Sequence, residues 1–239
     1  MKIQLLTAAL GLSALTSHAN VVITEYVEGG SNNKAIEISN LGTENIDLAA
    51  GGYKIDLYAN GSTDTTNGIS LEGVLIPGSS IVVYNKDATD AFKFDAPQGI
   101  SDSSATYFNG DDALVLSNAD GVVDSFGQVG TRPDGSWGTG DFATKDHTLR
   151  RLASVTTGDT TTDDAFDPAT QWATFAKDTA DGLGCKGEVA CDGSQPLPTE
   201  AGSSEGEGVV VITEYIEGGS NNKAIEISNL GTADVDLAV

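Results

Sequence analysis

VVITEYVEGGSNNKAIEISNLGT, Val21 to Thr43, decides how the rest of this 239-residue chain reads, and nearly the same words return from Val210 to Thr232. Apolar and polar residues alternate through Val21–Val27 and again through Ala35–Ser39, where Ile36 and Ile38 share one side and Glu37 takes the other. A period of two is the mark of β-strands. The GGSNN at Gly29 supplies residues suited to the tight turn between them. The same alternation appears in Tyr53–Tyr58, and further strands are expected at Ser80–Tyr84, Ala113–Ser117 and Val122–Phe126, with turn signals between at Asn40, Ala59, Ile76, Phe108 and Asn118. No long apolar stripe of helical period follows residue 19, and only Asp167–Lys177 suggests a short helical turn. Many short strands between Gly, Asn and Asp turns predict an all-β sandwich over residues 20–184, long enough for one core between two sheets.

The organisation around that body follows from composition. Residues 1–19 carry Lys2, an apolar run from Ile3 to Leu15 and small Ser17 and Ala19, the pattern of a signal peptide cleaved after Ala19. The run is too short to span a bilayer, so the expectation is a secreted protein with no membrane span. Residues 185–208 combine a cysteine-containing loop with a Pro, Gly, Ser and Glu stretch expected to act as a flexible acidic linker. Residues 209–239 repeat the opening. Between Val21–Leu48 and Val210–Leu237 only four positions differ: Val27 becomes Ile216, Glu44 Ala233, Asn45 Asp234 and Ile46 Val235. Since a lone hairpin is marginal in water, the second copy reads as an incomplete repeat. Its near-identity to the opening strands suggests that 209–239 could replace them in a neighbouring molecule, giving a strand-swapped oligomer. The recurrence of Glu25, Glu28 and Glu37 as Glu214, Glu217 and Glu226 suggests recent duplication or a shared local surface.

A formal charge of −23 sets the chain against polyanions, so direct nucleic-acid binding is not expected. Cys185 and Cys191 in an exported chain favour a disulfide closing a small loop, two free thiols being the other reading. With His18 in the signal segment, a structural zinc site lacks ligands. Calcium is the one cofactor the sequence raises: Asn109, Asp111 and Asp112 in FNGDDA, and more weakly Asp163, Asp164 and Asp167, offer oxygen donors, though both stretches read equally as turns. Arg150 and Arg151 are adjacent on an expected strand, so one should face inward and take a carboxylate such as Asp124 or Glu37. Trp172 reads as a plug at the end of the core. Trp137, in a Gly-rich loop, reads either as a surface contact for a glycan or protein partner or as packing over its own loop.

The ordered set VVITEYVEGGSNNKAIEISNLGTENIDL, GYKIDLY, LIPGSSIVVYN, FNGDDALVLSNADGVVDSFGQVG, HTLRR and QW resembles the lamin-tail domain found in large secreted bacterial nucleases. That resemblance implies an immunoglobulin-like β-sandwich, an accessory module placed before a catalytic domain of the endonuclease/exonuclease/phosphatase class. The catalytic motifs of that class resemble G-D-F-N and S-D-H with two functional histidines. This chain has Gly140-Asp141-Phe142-Ala143, lacks S-D-H, and keeps only His147 after the signal segment. Neither a G-x-S-x-G elbow nor another nucleophile motif surrounds His147. The reading is therefore a secreted, non-catalytic interaction module with a protein or cell-surface partner, part of an extracellular nuclease whose catalytic domain this chain lacks. A repeat-built adhesive or structural surface protein is the alternative, and an enzyme with an unrecognised site the third.

Overall fold

The computed structural model describes residues 20–95, 98–102, 104–184, 210–217 and 223–229. The expected signal segment 1–19, the expected linker 185–208 and both cysteines lie outside the described residues. The strands are β1 Val21–Glu28, β2 Lys34–Asn40, β3 Ile46–Asp47, β4 Lys54–Tyr58, β5 Asn67–Ser70, β6 Val74–Leu75, β7 Ser80–Tyr84, β8 Gly99–Ser101, β9 Ala113–Asn118, β10 Gly121–Phe126, β11 His147–Arg151, β12 Trp172–Ala176, β13 Val210–Glu217 and β14 Lys223–Asn229. Two sheets carry the body: a six-stranded one ordered β12-β11-β1-β2-β7-β8 and a four-stranded one ordered β10-β9-β4-β5. Every described pairing is antiparallel except β7 with β8. Short ladders β3–β6 and β13–β14 stand apart from both sheets. This is the all-β, immunoglobulin-like sandwich expected from the alternation and the resemblance.

The alternating side chains become the core because successive residues of a strand face opposite sides. Val21, Ile23 and Tyr26 from β1, Ile36 and Ile38 from β2, Ile81 and Val83 from β7, and Leu149 from β11 meet Ile55 and Leu57 from β4, Leu114 and Leu116 from β9, and Phe126 from β10. Tyr26 stacks on Phe126 at 4.2 Å between ring centroids, and Trp172 meets Phe126 edge-on at 5.1 Å.

The six-stranded sheet is covered on its other face as well. Val27, Ala35 and Val82 pack there against Ala88, Phe92 and Leu183, which come from the connections after β7 and after β12. All eight residues of β1 and all seven of β2 are consequently buried. Glu25 and Glu37 have no exposed surface, which corrects the reading of the repeated glutamates as a shared surface. The stretch Asp167–Lys177 differs from its expectation too. A single 3₁₀ turn, Pro168–Thr170, opened by the Asp167 side chain accepting from Ala169 N at 3.0 Å, gives way at once to edge strand β12. Trp172, Thr174 and Phe175 are residues a strand favours, and pairing with β11 settles the conformation.

Candidate functional site

Three groups of polar side chains could carry chemistry, and each is built from a local irregularity. The first lies between the sheets. The pairing of β1 with β2 shifts register between Ile23 and Glu25, leaving Thr24 as a bulge, and β10 shifts likewise between Val122 and Asp124. A bulge leaves backbone groups without ladder partners and re-aims neighbouring side chains. Ile23 N donates to Asp124 Oδ2 at 2.7 Å, and Arg151 Nε donates to Ile23 O at 2.6 Å. Arg151 Nη2 closes the triangle on Asp124 Oδ2 at 2.7 Å, while Ser125 N and Asp159 N donate to Asp124 Oδ1. The Arg151 guanidinium also lies over the Trp172 ring, 4.6 Å from its centroid. Burial raises the Asp124 carboxyl above its ordinary value, against the opposing pull of Arg151 and the three N–H donors. Asp124 is the partner expected for the arginine pair, and Arg151 takes it.

The second group lies on the opposite face of the same sheet. Glu25 stands directly across from both Glu37 and Arg150 in the ladder. Arg150 Nε donates to Glu25 Oε2 at 3.1 Å, its Nη2 pairs with Asp181, and its guanidinium sits 4.0 Å from the Phe175 ring centroid. Glu37 accepts from Thr24 Oγ1 at 2.5 Å and from Gly184 N at 2.6 Å. Glu25 Oε1 has no hydrogen-bond partner. Burial, and then the neighbouring Glu37 charge working against Arg150, push the Glu25 carboxyl up to about 8. A neutral acid beside a carboxylate resembles an acid–base pair, but both are sealed under residues 177–184, so the arrangement stores a proton without offering it to a substrate. Arg150 is thus buried along with Arg151. Strand alternation does send the two to opposite faces, and both faces are covered. Sequence reasoning missed Glu25 as the partner; the one available signal was three glutamates and one lysine within two largely apolar strands.

The third group is the FNGDD turn with the loop holding Trp137. Asp112 Oδ1 accepts from Asn60 N at 2.7 Å and its Oδ2 from Asn109 N at 2.9 Å. Asp111 Oδ2 takes Arg132 Nε at 2.8 Å, and the Asn109 amide nitrogen donates to Asp111 and Asp112. Burial raises the Asp112 carboxyl. The calcium candidates Asn109, Asp111 and Asp112 lie together in this turn and brace it, Arg132 pairing with Asp111. Asp163 and Asp164 are exposed, and Asp167 caps its 3₁₀ turn. Among the described residues no three His, Cys, Asp or Glu side chains are grouped to hold a metal ion.

Of the two readings of Trp137, the structure shows packing over its own loop and not a surface contact. Only 6 % of it is exposed. Its Nε1 donates to Asp112 O at 3.0 Å, its backbone N donates to Thr144 Oγ1, and its ring meets Phe166 edge-on at 5.9 Å. Packing over its own loop satisfies the indole N–H, which a buried Trp requires. His147 is half-buried with Nδ1 against Lys145 O at 2.9 Å, and Asp141 is exposed in a 3₁₀ turn. Among the described residues no helix is long and apolar enough to cross a membrane. No curated protein matches the chain. Strands β1 to β10, with β11 and β12 completing the larger sheet outside the matched stretch, give the immunoglobulin-like architecture its sequence counterpart: residues 15–130 match the family model of the lamin tail domain.

Proposed function

We propose that the two-sheet body is a non-catalytic interaction module of an exported protein, the accessory part of an extracellular nuclease, which engages a protein or cell-surface partner rather than nucleic acid. One observation carries the reading. The lamin tail domain match falls on a body whose described polar clusters close on internal partners, from Asp124–Arg151 to Glu25–Arg150 and the FNGDD turn. Carboxylates used in this way fix the fold and leave surface shape as the means of recognition. The net charge of −23 supports a partner other than DNA.

A repeat-built adhesive protein is the second reading. It is favoured by a specific observation, the β13–β14 hairpin that reproduces the register of β1–β2. Reading the coding region past Val239 separates the two: a hydrolase domain with G-D-F-N and paired histidines supports the nuclease accessory, and further sandwich units support the adhesin. The purified chain should leave DNA intact in the presence of Mg²⁺ or Ca²⁺; turnover abolished by Asp141→Ala or His147→Ala would overturn the non-catalytic assignment. Export is checked by sequencing the N-terminus of the secreted product, expected to start at Asn20.

A further inference from the structure

Ile225 and Ile227 of β14 are 58 % and 56 % exposed. Through the repeat they are the counterparts of Ile36 and Ile38, which have no exposed surface and lie in the core between the sheets. Among the described residues β13 and β14 pair only with each other. Branched aliphatic side chains left in water on one face of a hairpin forgo the burial that stabilises such a face.

The first copy indicates what covers that face. β1–β2 sits between β11 and β7, and several of its side chains find partners in the framework around it. Glu25 takes Arg150 of β11, and Glu37 takes Gly184 N. Asn33 receives Thr89 N at 2.9 Å and donates to Asp178, and Asn40 donates to Leu75 O at 3.0 Å. Each of these residues recurs in the second copy, as Glu214, Glu226, Asn222 and Asn229. The register recurs as well, including the shift between Ile212 and Glu214. A hairpin carrying the docking residues for β11, β7 and their flanking loops fits that framework. Within the strands only Val27 differs, replaced by Ile216. Val27 is enclosed by Ala35, Val82, Ala88, Phe92 and Leu183, so one added methyl is a small misfit that favours the first copy.

We propose that the body has one position for this hairpin and the chain carries two occupants for it, β13–β14 replacing β1–β2 between β11 and β7 of the same molecule. Residues 185–209 reach at most about 90 Å when fully extended, more than enough to cross a body of this size. A tether of that length makes the intramolecular exchange prevail over exchange between copies at ordinary protein concentrations. Exchange leaves β1–β2 with its isoleucine face uncovered, so the N-terminal segment then becomes the presented surface.

The full chain tests this. Ile36→Asp/Ile38→Asp places unpaired carboxylates in the core and evicts the first hairpin. This variant is expected to keep a cooperative thermal transition and to remain monomeric by light scattering, with its midpoint lowered by several degrees. Adding Ile225→Asp/Ile227→Asp to it is expected to abolish the transition, while Ile225→Asp/Ile227→Asp alone melts like the parent. The proposal is overturned if Ile36→Asp/Ile38→Asp unfolds as fully as the fourfold variant, or if the fourfold variant still melts cooperatively. Folding of Ile36→Asp/Ile38→Asp only as a dimer or larger species would overturn the intramolecular form and place the exchange between copies.

Discussion

Asp124 does at one point what a strand neighbour would otherwise do. By accepting from Ile23 N across the sheet interface and holding Arg151, which in turn donates to Ile23 O, it completes the hydrogen bonding of β1 where the bulge at Thr24 interrupts it. Removing one member strands the other charge in the core. Asp124→Asn is expected to cost about 3–5 kcal/mol in urea denaturation. Glu25 behaves differently because it is a neutral acid in the folded state. The folded chain keeps its proton up to about 8, whereas the free group releases it near 4.5, so folding takes up a proton between those values and stability falls as pH rises through that window. Glu25→Gln removes that dependence: its midpoint should lie close to the parent's at about pH 5 and above it at about pH 9, read from thermal melts across the range. Trp137→Ala should cost about 3–5 kcal/mol, as for a core aromatic, where an exposed contact residue would change stability by under about 0.5 kcal/mol.

At the scale of elements, the short apolar stretches bounded by turn residues were legible: β1, β2, β4, β7, β9 and β10 fall where the sequence places strands. That one of the adjacent arginines would turn inward to a carboxylate such as Asp124 or Glu37 was legible as well, because an inward guanidinium requires one; that it is Arg151 on Asp124 was not. The cover over the outer face was not. Residues 85–95 and 177–184 carry no periodic pattern, and nothing local in Phe92 or Leu183 says that they shield Val27 and Val82. Strand β12 was hidden because a Pro-initiated turn precedes it and its pairing partner, β11, is 20 or more residues away. The cover is held by close approach at Gly182, where a Cβ would collide with the Arg150 guanidinium and the Glu25 carboxylate. Gly182→Ala should therefore lift residues 177–184 off the sheet, seen as faster amide exchange in that segment and in β11 and as a global loss of about 1–3 kcal/mol.

At the scale of the molecule, a single body closed by β11 and β12 uses its buried charges to hold two sheets together, and the second hairpin lies outside the cooperative unit. The matched stretch 15–130 omits β11 and β12, yet β11 supplies Leu149, Arg150 and Arg151 and β12 supplies Trp172, so a fragment ending at 130 leaves β1 as an open edge with Asp124 and Glu25 unpaired. Thermal unfolding of residues 20–184, compared with the full chain and with residues 20–130, tests this most directly. One cooperative transition is expected for 20–184, within about 2 °C of the full chain, and none for 20–130. A fragment 20–130 that melts cooperatively, or a fragment 20–184 that shows no transition, would contradict it.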